Sequence, residues 1–305
     1  MTHTTPRMSR SHVLALFAGI ASVALLAGCS ATVAPTPEAT TSASADSALF
    51  AMLPDDIQAS REIKVGTEAM YAPYEYLDTD GTSIVGLDPD LVAALTERLG
   101  VTFTLTNAAF DGLLPALDGN RFDLLAAGYT NTVERQKNYD FVNYFESSQA
   151  IVVKAGNPEK IEGMTDLCGQ AVSVLKASAQ ESMLTELNSA DCASDPVEIV
   201  ALPDNPSAFL QIQSGRVVAV LVQDAVARYN IAQQGDRTGF AVANTEPITP
   251  TVVGMMFRQD STELRDAIQA TLQSLIEDGT YQSILDSHDL GNGALDMATV
   301  NGGVE

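Results

Sequence analysis

Apolar and polar positions alternate over Glu62–Thr67 (E-I-K-V-G-T) and again over Val101–Thr106, which predicts two strands. Between them Leu91, Val92, Leu95 and Leu99 recur at helical spacing, with Asp88 as a cap, Pro89 at the first position and Gly100 as a stop. Phe110-Asp111 opens another helix, with Leu113, Leu114 and Leu117 facing inward. The continuous apolar run Phe122–Ala127 predicts a buried strand that stops at Gly128. From about Ala150 the pattern restarts. Strands are predicted at Ile151–Lys154, Ala171–Leu175, Val197–Ala201 and Arg216–Val222. Helices are predicted from Ser178 to about Leu187, over Pro206–Gln213 and over Ala225–Gln233. After Thr249-Pro250 come a strand, Thr251–Phe257, a long helix capped at Asp260 and a short one holding Tyr281, Ile284 and Leu285. The tail from Gly291 has no periodicity and is expected to be loose. Strands alternating with helices predict an α/β protein with mostly parallel sheets. Two such runs suggest two lobes around a cleft, with no sequence repeat between them.

The first thirty residues change the picture. Arg7 and Arg10 precede an apolar run, Val13–Ala27, too short for a membrane span and suited to a signal peptide. It ends Leu26-Ala27-Gly28-Cys29, small residues before a cysteine, which resembles the lipobox of bacterial lipoproteins and implies lipidation of Cys29. An ordinary signal peptide with an incidental cysteine is the alternative. Ser30–Ser47, rich in Ala, Thr, Ser and Pro, reads as a flexible tether. Residues 1–28 are therefore read as signal peptide and 29–60 as a lipid-anchored linker. Lobe 1 is read as 61–150 plus 249–290, lobe 2 as 151–248, and 291–305 as a tail.

The chain has 305 residues and a formal charge of −23, with no Lys/Arg cluster to neutralise phosphates, so nucleic acid is excluded as a partner. Only His288 lies outside the leader, which argues against histidine-centred catalysis and multi-histidine metal sites. No phosphate loop, nucleophile elbow or zinc-helix motif is present, and no metal or cofactor is expected. Cys168 and Cys192, an even pair in an exported chain, are read as a structural disulfide, with free thiols as the alternative.

The candidate chemistry gathers at the carboxyl ends of strands, where ligands of open α/β sheets sit. Glu68 and Tyr71 follow the first strand. In A-A-G-Y-T-N-T-V-E-R (126–135), Gly128 lets a ligand approach the backbone, Thr130 offers a hydroxyl and Arg135 a planar fork suited to a carboxylate. Ser178 and Glu181 form a capping-box pair whose helix start, at Ser178 and Ala179, would favour an anion, or serve only as a cap. Asp224 places a charge at another strand end, or caps the helix that follows.

Six segments in order resemble the polar amino-acid solute-binding proteins that feed ABC importers: V-G-T-E-A-M-Y-A-P-Y-E-Y (65–76), G-L-D-P-D-L (86–91), A-F-D-G-L-L-P-A-L (109–117), D-L-L-A-A-G-Y-T-N-T-V-E-R (123–135), V-L-K-A-S-A-Q-E (174–181) and E-D-G-T-Y (277–281). The resemblance spans roughly Ile63 to Ser287. It implies a two-lobed periplasmic-binding-protein-like fold of type II, joined by two hinge strands and closing on its ligand. By the same resemblance Arg135, with Thr130 and the Gly128 backbone, would hold the ligand α-carboxylate, touched from the other lobe by Ser178 and Ala179. Asp224 would receive the α-ammonium, and Tyr71 and Phe110 would sandwich the side chain. Glu68 would reach its far end, where a buried glutamate calls for a cationic group or, alternatively, an amide.

The resemblance implies a non-catalytic receptor, monomeric because its lobes must move, with an amino acid and a membrane permease as partners. An enzyme on the same scaffold, of dehydratase or cell-wall lyase type, and a sensor without a transporter are the alternatives. Two departures stand out: Tyr129 replaces a smaller aliphatic residue, and Val218-Ala219 stands where an aspartate-alanine pair is common.

Overall fold

Two long strands tie the molecule together. The computed structural model describes residues 45–234 and 239–303, so the leader, Cys29 and most of the tether lie outside the described residues. In chain order, helices α1 (Ser47–Phe50) and α2 (Asp55–Ser60) precede strand β1 (Glu62–Thr67). Three short strands, β2 (Met70–Tyr71), β3 (Glu75–Leu77) and β4 (Ile84–Val85), form a small antiparallel sheet of their own. There follow α3 (Leu87–Leu99), β5 (Thr102–Asn107), α4 (Phe110–Asp118), β6 (Leu124–Leu125) and α5 (Val133–Gln136). The long β7 (Tyr139–Lys154) leads to β8 (Ala171–Leu175), α6 (Ala179–Ser189), β9 (Glu198–Leu202) and α7 (Asn205–Ser214). Then come β10 (Ala219–Gln223), α8 (Asp224–Gln234), β11 (Phe240–Val242), β12 (Ile248–Arg258), α9 (Thr262–Glu277) and α10 (Thr280–Ser287).

The main sheet runs β5-β1-β6-β12-β7-β10-β8-β9, with β11 also on β7. Within each lobe the short strands are parallel: β5, β1 and β6 on one side, β10, β8 and β9 on the other. The long strands β7 and β12 run antiparallel between them. Residues 139–147 of β7 pair with β12, Gln149 pairs with both Ile248 of β12 and Gln223 of β10, and 150–154 pair with β10 and β11, so β7 changes partners at Gln149. The register of β12 on β7 slips between Ile248 and Thr251, at the same level. Irregular pairing where both strands cross is where a two-lobed body can bend.

Several sequence expectations shift for identifiable reasons. The continuous β7 includes Tyr139–Ala150, which reads as unpatterned because Phe141–Phe145 is buried along its whole length and so does not alternate. The expected linker 29–60 is too long. Its last residues form α1, α2 and the turn between them, which bury Leu53 and Ile57 and lean Leu49 and Phe50 on the core. The expected loose tail is docked. Val300 bridges Val142, and the Asn143 amide donates to Thr299 Oγ1 at 2.8 Å and to the Asn301 carbonyl at 2.7 Å. That docking is polar and backbone-based, so it leaves no apolar period in the sequence. Asp88 does not cap α3, whose N-cap is Gly86; it is fully buried in the first turn. Cys168 and Cys192 are disulfide-bonded, with Cα atoms 5.1 Å apart.

Candidate functional site

The loop after β6 meets the second lobe at Gln223. β6 is wholly buried and delivers Gly128 in a left-handed conformation, φ 57°. A Cβ at Gly128 would lie 2.8 Å from the Tyr71 ring, so glycine is required twice over, by φ and by space. The Gly128 N–H is not free for a ligand, contrary to expectation. It donates to Asp88 Oδ2 at 3.1 Å, and the Gly128 carbonyl accepts from Gln223 Nε2 at 2.8 Å. The same Gln223 nitrogen donates to Thr130 Oγ1 at 3.0 Å.

Arg135 sits on α5, whose start is capped by the Thr132 hydroxyl. Its guanidinium donates to the Thr130 carbonyl at 2.9 Å and to the Ala177 carbonyl, in the other lobe, at 3.3 Å. It lies 5.0 Å from the Tyr129 ring centroid. Among the described residues it has no carboxylate partner. Burial pushes its pKa below the ordinary value. A half-buried cation held by neutral oxygens and a π face is suited to an anion it can grip in two places.

Tyr71 and Phe110 each stack on a neighbouring ring of the protein. Tyr71 stacks on Tyr74, with centroids 5.6 Å apart, and Phe110 stacks on Tyr129 at 4.7 Å. The Tyr129 departure therefore packs against Phe110, and one face of each expected clamp residue is already taken.

In the second lobe Ser178 caps α6, its Oγ accepting from the Glu181 N–H at 3.2 Å. The return arm reaches the Ala177 N–H instead of that of Ser178, at 2.6 Å, because Ala177 adopts φ 62° and turns its N–H toward Glu181. Ser178 and Ala179 are both buried and directly follow Ala177, whose carbonyl accepts from Arg135. Asp224 opens α8 and pairs with Arg228 Nε, one turn on, at 2.6 Å. Lys176 and Asp111 form a further ion pair between the lobes at 2.8 Å.

Glu68 is 3% exposed, its Oε2 has no hydrogen-bond partner, and no Lys, Arg or His among the described residues pairs with it. Burial, and then the neighbouring Asp204 charge, push its pKa up to about 7, against the Met70 amide that favours the carboxylate. Behind the Gly128 loop lie two more buried carboxyls. Asp88 is pushed up to about 6, chiefly by burial, and Glu75 is held well above the usual carboxylate range by burial and by Asp88.

Residues 63–291 match the family described as bacterial extracellular solute-binding proteins, family 3. The chain belongs to that family. The ABC transporter arginine-binding protein 1 of Escherichia coli is 28% identical over 245 residues, 78% of this chain and 95% of that one. An ancestral arginine-binding protein solved with arginine superposes with a TM-score of 0.69 at 33% identity, covering 74% of this chain and 97% of that one. An ancestral amino acid-binding protein described as a precursor of cyclohexadienyl dehydratase gives 0.68 at 30%, covering 77% and 98%. Family members are extracellular solute-binding proteins, and the two-lobed α/β fold is shared with these neighbours.

Sequence reasoning missed Gln223, Asp204 and the Asp88–Glu75 pair. Gln223 was legible in principle, as the first polar side chain ending the apolar strand Ala219–Val222. Asp88 and Asp204 resemble ordinary helix-start aspartates, and only the fold separates one that turns inward from one that caps.

Proposed function

We propose that this protein is an exported, lipid-anchored receptor that binds a polar amino acid with a cationic side chain and passes it to an ABC importer. The observation that carries the reading is a pair of unmatched opposite charges, the half-buried Arg135 and the buried Glu68, in a family of solute-binding proteins. A free zwitterion with a cationic tail supplies both counter-charges, its α-carboxylate to Arg135 and its tail to Glu68. Thr130 and the Ser178–Ala179 helix start would support the carboxylate, Asp224 would take the α-ammonium, and Tyr71 and Phe110 would flank the side chain. The Gly128 N–H is left out of this scheme, because Asp88 holds it. The relatives named for arginine support the same ligand class. Lipidation at Cys29 rests on the Leu26-Ala27-Gly28-Cys29 sequence alone. A thermal-shift screen of the purified chain against the common amino acids and ornithine tests the ligand class, since anything binding only the folded state raises Tm. Shifts confined to arginine, lysine or ornithine support it; a shift with acidic amino acids alone refutes it.

A second reading is favoured by one observation: a carboxyl near pKa 7 at Glu68 is suited to a general acid. With a dehydratase precursor among the structural neighbours, turnover of a carboxylated substrate by the purified chain would establish an enzyme.

A further inference from the structure

We infer that Asp204 is a specificity-determining residue that faces Glu68 across the cleft, so that the lobes close fully only on a ligand whose far end is cationic. The inference rests on the receptor reading above and adds a residue that the sequence motifs do not mark.

Glu68 lies just beyond β1 in the first lobe, and Asp204 precedes α7 in the second. Helix α7 packs against β2, which begins two residues after Glu68. Closure thus carries Asp204 toward the buried Glu68 carboxyl, on which it is the principal neighbouring charge. Glu68 is 3% exposed and presents an oxygen with no partner. Asp204 spends one oxygen, Oδ1, on the Ser207 N–H at 2.7 Å and forms no ion pair among the described residues. One carboxylate comes from each lobe, and among the described residues neither has a protein cation to neutralise it.

Two like charges brought together away from water repel more strongly than in solvent. An empty or neutral-tailed cleft therefore resists the last part of closure, or closes only with Glu68 protonated. A guanidinium or ammonium between the two carboxylates turns that repulsion into attraction on both sides. Selection against neutral isosteres then comes from repulsion in the wrong complex as well as attraction in the right one.

The test uses calorimetry on the full chain purified in detergent, with L-arginine and its uncharged isostere L-citrulline, and with L-lysine and its uncharged counterpart norleucine. Asp204→Asn is the informative variant, because asparagine caps a helix as well as aspartate and so keeps α7 while removing the charge. Wild type is expected to prefer the cationic member of a pair by more than a hundredfold. Asp204→Asn is expected to cut that preference about tenfold, with the loss falling on the cation and with ligand-free Tm unchanged. If Asp204→Asn leaves the preference unchanged while Glu68→Gln collapses it, the inference fails and the receptor reading stands. An equal loss on both members makes Asp204 merely structural and also overturns it. If wild type binds no member of either pair, the cationic reading itself is wrong.

Discussion

The Gln223 side chain of the second lobe donates one amide nitrogen to both the Gly128 carbonyl and the Thr130 hydroxyl of the first. It is 1% exposed, and its Oε1 has no partner. The loop expected to meet the ligand is therefore also the loop that the opposite lobe grips directly.

Removing that grip is expected to open the molecule. Gln223→Ala deletes two hydrogen bonds between lobes, each contributing about 1 kcal/mol net. The ligand-free closed population should fall by about tenfold or more. Small-angle scattering without ligand would show a larger radius of gyration than wild type. An unchanged radius would mean that closure is held elsewhere, at Lys176–Asp111 or the α7–β2 contact.

Arg135 supplies the sharpest binding prediction. Arg135→Ala removes a half-buried cation that lacks a protein counter-ion among the described residues, so the fold should keep its Tm while ligand affinity drops about 10²–10³-fold. Arg135→Lys should recover little, because a point charge cannot form the two-pronged grip on a carboxylate. Calorimetry on the two variants checks both statements. Near wild-type affinity in Arg135→Ala would refute the carboxylate assignment.

The disulfide predicts a stability loss of its own. Cys168 and Cys192 close a loop with a sequence separation of 24, whose removal costs about 3 kcal/mol in the chain-entropy description. The double variant Cys168→Ala/Cys192→Ala should show that loss in denaturant unfolding, with binding retained, because Cys192 packs with Leu184 and Leu187 of α6 and neither cysteine is among the residues proposed to touch the ligand.

How much was legible follows from what each residue type reveals. Leu91, Leu95 and Leu99 announce α3 because burial imposes a period on a helix, and all three are fully buried. Gly128 and Arg135 could be singled out because their chemistry is unusual wherever it occurs. Asp204 could not, because a polar residue at a helix start is ordinary until the other lobe arrives opposite it, and Gln223 is marked only by ending an apolar strand. Asp88 reads from the sequence as a helix cap, and Glu75 carries no signal of its own, because acids usually face solvent. Their burial depends on tertiary neighbours such as Tyr74 and Tyr144, which no local pattern encodes.

Glu68 links the pH dependence of stability to ligand choice. Its carboxyl titrates near 7 in the folded protein against 4.5 for the free side chain. Between those values the folded state binds more protons than the unfolded state, so stability falls as pH rises through this window and levels off above 7. The full penalty is roughly 3 kcal/mol. Glu68→Gln carries no such proton. It should match wild type near pH 4 and exceed it by roughly 3 kcal/mol at pH 8.5, in denaturant unfolding without ligand. A cationic ligand works in the opposite direction, favouring the carboxylate and expelling the proton. Arginine affinity should therefore rise with pH through 7, and binding at pH 6 should release protons, read as a calorimetric enthalpy that varies with buffer ionisation. Glu68→Gln should lose both signatures together. A stability difference that does not change with pH would show that Glu68 is not the group that titrates.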